Sequence, residues 1–190
     1  MEKREGLIVG SACEAGEVFR AVLEHRGDDE VKRIMAFYDY LEIQPLDNNR
    51  FLIDSGRLKG KEDLAALNER IYRLAKELDK PCVMTCDAHY LDPEDEIYRT
   101  VLLSGKGMNE GERTAPVYLR TTAELLAEAS RYLGEQGARD AVVLGPNKTA
   151  DMVEDLEPVP EGSYFPTLPD ADATLRRLVE EGAARMYGPD

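Results

Sequence analysis

Apolar residues in this chain fall into two kinds of pattern, short continuous runs and longer stretches at helical spacing. Leu7 to Val9 is a short run leading into Gly10 and Ser11, and Tyr38 to Ile43 is an aromatic and aliphatic run ending at Gln44-Pro45. After Pro81 the run CVMTC is continuously apolar, as in a strand buried on both faces. Between these runs the period changes. Leu64, Leu67, Ile71, Leu74 and Leu78 recur every three to four residues, so Glu62 to Leu78 reads as an amphipathic helix. A further helix is expected from about Gly16 to His25. Strand, helix, strand in this order is a βαβ unit, which requires a parallel pair and a right-handed crossover.

The polar stretch DNNRFLIDSGRLKGK, with two glycines, reads mostly as loop. Asp92 then offers a cap, Pro93 suits a first helical position, and the acids at 94 and 95 favour the positive end of a helix running to about Ser104. Beyond GKGMNEGERTAP the character becomes mainly helical. Tyr118 to Arg120 is a short strand candidate, Thr121 or Thr122 starts a helix through Tyr132, and GARDAVVLGPNKTADMVEDL is helical with a break at Gly145-Pro146. A proline-bearing stretch leads to a last helix at about Asp172 to Tyr187. The expected organisation is a partial α/β layer over residues 1–105 and a helical segment over 106–190.

Composition narrows the function classes. The chain has 190 residues, 43% hydrophobic and 33% charged, the balance of a soluble globular protein. No apolar run approaches the roughly 18 residues that span a bilayer, and the N-terminal apolar core is too short for a secretory signal. With 24 Lys+Arg against 38 Asp+Glu the formal charge is −14. Such a surface repels a phosphate backbone, so direct gripping of nucleic acid is not expected. Three cysteines, Cys13, Cys82 and Cys86, do not form a disulfide framework and fit a reducing cytoplasm.

Chemistry concentrates in CDAHY. Asp87 and His89 are two apart after an apolar run, so a carboxylate and an imidazole are expected to project together from one strand end, where parallel α/β folds place ligands. Both are good ligands for zinc, manganese or iron, yet a capping Asp and a surface His are the commoner origin of such a pair. Cys13 follows the first strand at a similar position, and a small buried cysteine is its alternative reading. Cys82 and Cys86 read as core. Glu42 and Gln44 end the second strand and point either into the same mouth or into solvent at an edge. No dinucleotide, phosphate-loop or nucleophile-elbow motif is present.

The runs GLIVGSACEAGEVF, FYDYLEIQPLDNN, DAHYLDPEDEIYR and VYLRTTAELL, with NKTADMVEDLEPVP and the terminal EEGAARMYG, resemble the PolC-type DNA polymerase III alpha subunit of bacteria over essentially the whole chain. The resemblance implies the later part of a PHP domain (polymerase and histidinol phosphatase) and the approach to the polymerase palm. The implied fold is a partial (β/α)7 PHP-type barrel with parallel strands, followed by a mainly helical connecting segment. It also implies that Cys13, in GSAC, and Asp87 and His89, in CDAHY, are ligands of a divalent metal, zinc or manganese.

The early H-x-H motif of that domain is absent, as are the palm carboxylates. The chain starts where the barrel would resume after an inserted exonuclease domain. The expectation is therefore a fragment of a replicative DNA polymerase with an incomplete metal site and no catalytic centre, inactive alone. Its expected partners are the remainder of the polymerase chain and the replisome, with DNA reached only through the parent. The alternative is a stand-alone PHP-like metal-dependent phosphoesterase, which the presence of only two histidines disfavours.

Overall fold

The computed structural model describes residues 4–107, 115–159, 161–163 and 165–188, and the junction read from GKGMNEGERTAP lies largely outside them, at 108–114. The chain divides into two compact units, Met1–Glu154 and Asp155–Asp190. The described residues are mixed α/β and mostly helical.

In the first unit the elements run α1 (Glu17–Leu23), α2 (Asp28–Met35), β1 (Leu41–Ile43), a 3₁₀ turn (Leu46–Asn49), α3 (Phe51–Asp54), α4 (Lys61–Glu77) and β2 (Cys82–Met84). A second 3₁₀ turn (Pro93–Asp95) leads into α5 (Glu96–Ser104), followed by α6 (Thr122–Arg139), a π-helical turn (Asp140–Leu144) and α7 (Gly145–Ala150). The strands β1 and β2 are parallel, with Leu41 opposite Cys82 and Ile43 opposite Met84, and α4 is their crossover. This is the βαβ unit that the periodicity predicts.

The strands are shorter than their apolar runs. Leu7–Val9 forms no strand. Its continuation makes one parallel bridge, Gly10 to Tyr40, with Asp39 N–H donating to the Val9 carbonyl at 2.8 Å and Ser11 N–H to that of Tyr40 at 3.2 Å. The Asp39 carboxylate accepts from Val9 N–H at 2.7 Å and so takes over one ladder position. Tyr118–Arg120 likewise reduces to one bridge, Tyr118 to Tyr90. One further correction concerns a helix. The stretch DNNRFLID is a 3₁₀ turn and α3 rather than loop, because Leu52 is buried in the core. The helix expected through Tyr132 is present, and a non-helical Gly134 (φ 70, ψ 170) separates it from the second helical piece of α6, which runs on to Arg139.

The core lies between α4 and the neighbouring helices. Leu64, Leu67, Ile71 and Leu74 of α4 are buried with Val18 and Val22 of α1, Val31 and Met35 of α2, Leu41 and Ile43 of β1, and Leu125 and Ala129 of α6. Each such side chain contributes roughly 1.5–3 kcal/mol when fully buried. Asn68 sits in the same stripe and is satisfied: its Nδ2 donates to the Gln44 carbonyl at 2.8 Å and to the Tyr132 hydroxyl at 3.3 Å. On its other side β2 is met by the π turn and α7, where Gly145 lies against the Cys82 carbonyl.

In the second unit α8 spans Ala171–Tyr187 and none of its residues is buried.

Candidate functional site at the strand ends

The loops after Gly10, β1 and β2 leave the parallel strands at the same end. Two of them contain a non-glycine residue in the left-handed region, Ala12 (φ 59) and Asp87 (φ 50). Such conformations are uncommon away from glycine and often mark functional loops. The first loop is tightly closed. Ser11 is buried and its Oγ accepts from Glu42 N–H at 2.8 Å, while Gly16 N–H donates to the Cys13 carbonyl at 2.9 Å. A Cβ on Gly16 would lie 2.3 Å from the Ser11 carbonyl oxygen, so only glycine permits this closure.

Asp87 and His89 do not stand on a strand. The strand β2 ends at Met84, and the chain turns at the pair's own first member, the left-handed Asp87. The two side chains nevertheless meet, with Asp87 Oδ1 3.8 Å from His89 Nδ1. His89 Nδ1 lies 2.7 Å from the Asp87 carbonyl. A carbonyl only accepts, so Nδ1 carries a proton, and in the neutral ring the lone pair is the one on Nε2. The loop is pinned from two directions. His89 N–H donates to the Val117 carbonyl at 2.7 Å, and Asn48 Nδ2 donates to that of Cys86 at 3.0 Å.

Glu42 is the residue whose role composition understates. It is half-buried between these loops, with Thr85 Oγ1 donating to its carboxylate at 2.8 Å and Gln44 Nε2 at 3.4 Å. Burial pushes its carboxyl above the ordinary range, and the charges of Asp87 and Glu14 push in the same direction. Solvation at an edge does not describe it, and Gln44 is buried. Thr85 and Ser11, which hold Glu42 in place, carry no signal in the sequence beyond their positions at strand ends.

The thiols differ in setting. Burial raises the Cys13 pKa and Glu14 adds to it, so Cys13 is protonated at neutral pH. Cys82 is fully buried in β2 and pushed up to about 12 by burial, a core residue as its sequence position predicts, and Cys86 packs against the same core.

The donor set tests the implied metal. Asp87 and His89 fit as two neighbouring donors, an anionic oxygen and a neutral imidazole nitrogen. Among the described residues no group of three or more His, Cys, Asp or Glu side chains is arranged to hold a metal ion. The set on this chain is thus a pair of adjacent donors, and Cys13 is not gathered with them into such an arrangement. No helix among the described residues is long and apolar enough to cross a membrane.

No protein-family model matches the chain. Individual proteins do. The chain is 47% identical over 187 residues to the PolC-type DNA polymerase III of Clostridium perfringens, covering 98% of this chain and 13% of that protein. It is 48% identical over 188 residues to that of Caldanaerobacter subterraneus, covering 99% and 13%. The Bacillus subtilis protein is 38% identical over 191 residues, again covering 98% and 13%. The chain therefore spans about an eighth of the length of these relatives, 13% in each case. Along almost its whole length, this chain is similar to one segment of PolC-type DNA polymerase III.

Proposed function

We propose that the chain is a non-catalytic part of a replicative DNA polymerase III, the later portion of a PHP-type (β/α)7 barrel and its helical connection to the palm. The observation that carries this is the continuous similarity over 98% of the chain to a single segment of polymerases of the same description. The parallel βαβ unit, with polar residues gathered where its strands end, supports the barrel reading. The partners are the remainder of the polymerase and the replisome, DNA is contacted by other parts of that assembly, and the site of action is the cytoplasm.

In this reading Asp87, His89 and Cys13 would hold a divalent metal, zinc or manganese, together with donors from outside this chain. Such an ion, when bound, polarises a phosphoryl oxygen and lowers the pKa of a bound water. The chain's own contribution is positional. Asn48 and Val117 fix the backbone around Asp87 and His89, and the proton on His89 Nδ1 leaves Nε2 directed to accept. Cys13 must lose its proton to ligate, and its raised pKa opposes that until a cation is nearby.

The test is a chimera in which this chain replaces the matching segment of the Clostridium perfringens polymerase. Elemental analysis should find bound metal that falls by at least one ion per chain in Asp87→Ala/His89→Ala. Unchanged metal content in a folded double variant contradicts the assignment. The isolated chain should turn over no phosphoester. Metal-dependent turnover that disappears in Asp87→Ala favours the stand-alone phosphoesterase instead.

A further inference from the structure

The helix α5 is amphipathic in the reverse sense. Its half-buried residues are Glu96, Arg99, Thr100 and Leu103, one stripe at helical spacing. The opposite stripe, Ile97, Tyr98, Val101 and Leu102, is apolar and exposed, and Leu91 precedes it on the approach to the helix. These five side chains are between 59% and 71% exposed. Together they present on the order of 600 Å² of mostly apolar surface, at the upper end of what a monomer ordinarily leaves bare.

We propose that α5 is a homodimerisation element, pairing antiparallel with α5 of a second copy of this chain. A two-fold axis beside the Arg99–Thr100 peptide brings Ile97 against Leu102 of the second copy, and Tyr98 against its Val101. The charges agree with this direction and not with a parallel one. Asp92 and Glu94 are exposed at the start of the helix and Lys106 is exposed just past its end. Antiparallel pairing sets the acids of each copy beside the lysine of the other, and opposes the two helix dipoles favourably. Covering the whole face in both copies removes at most about 1,200 Å² in total, close to the roughly 1,000 Å² that separates specific interfaces from incidental contacts. It lies near the lower end of that class, so the association is micromolar rather than nanomolar. The inference rests on α5 alone and concerns this chain by itself.

The experiment is sedimentation equilibrium on the whole chain at concentrations from about 1 to 300 µM. The mass should rise from the 21.3 kDa of one chain towards twice that value. Leu102→Glu, at an exposed position and checked by circular dichroism to be folded, should weaken the dimer at least about tenfold. Lys106→Glu should weaken it about threefold, and adding Glu94→Lys should restore it. A chain that stays monomeric throughout overturns the proposal and leaves the face to another part of a longer polymerase. A dimer indifferent to Leu102→Glu overturns it as well, and indifference to the charge exchange overturns the antiparallel arrangement.

Discussion

At the scale of single residues, two positions hold the end of α6 and the start of α7 against β2 and α4. A Cβ on Gly145 would lie 2.1 Å from the Cys82 carbonyl oxygen, which is backbone and cannot step aside. Gly145→Ala should therefore destabilise the first unit by about 2 kcal/mol or more, read as a lowered urea midpoint. Asp140 accepts from Tyr72 at 2.9 Å, Lys76 at 3.0 Å and Gln136 at 2.8 Å. Burial alone would raise its carboxyl, but these donors outweigh that and hold it below its ordinary value of 3.8. A depressed carboxyl stabilises the fold above the unfolded pKa, and that contribution disappears as pH falls through the folded value. Asp140→Asn should thus cost about 1 kcal/mol at pH 7 and progressively less below about pH 4, measured by urea unfolding at both pH values. An equal cost at both would show that the charge is irrelevant there.

At the scale of elements, α6 is two helical pieces joined through Gly134, whose φ of 70 and ψ of 170 are open to glycine and strained for other residues. Gly134→Ala should cost about 1–3 kcal/mol in thermal or urea unfolding. A loss as small as a few tenths would mean that the segment continues as one straight helix. Helices were the legible part of the sequence. The stripe from Leu64 to Leu74 predicts α4 and its buried face, and the apolar run of β2 predicts a strand paired in parallel across that helix. Strand length is not legible, because residues 7–10 and 118–120 have the composition of strands but make one bridge each, at Gly10 and at Tyr118. The helix α2, at Asp28–Met35, is faint in the sequence because only Val31, Ile34 and Met35 give it an apolar face among five charged residues. Within the candidate site, Asp87 and His89 were visible as a pair. Their meeting depends on a left-handed residue and two tethers from Asn48 and Val117, and spacing does not encode those.

At the scale of the whole molecule, charge and similarity point to a supporting role. The net charge is −14, and in the stretch that holds Arg50, Arg57, Lys59 and Lys61 two of the four cations lie beside carboxylates. Lys61 pairs with Asp47 at 2.6 Å and Arg50 lies 3.8 Å from Asp54, so acids interleave the cations. The chain should show no binding of duplex DNA by fluorescence anisotropy at about 150 mM salt, and sub-micromolar binding with a steep salt dependence would contradict that. The central claim is that these residues serve as one segment of a PolC-type polymerase rather than as an enzyme of their own. Primer extension by the Clostridium perfringens polymerase carrying this chain in place of its matching segment tests that claim most directly. The account predicts extension within about tenfold of the parent, since segments 47% identical share a fold and most buried contacts. A chimera that folds and binds primer-template yet extends nothing would contradict it.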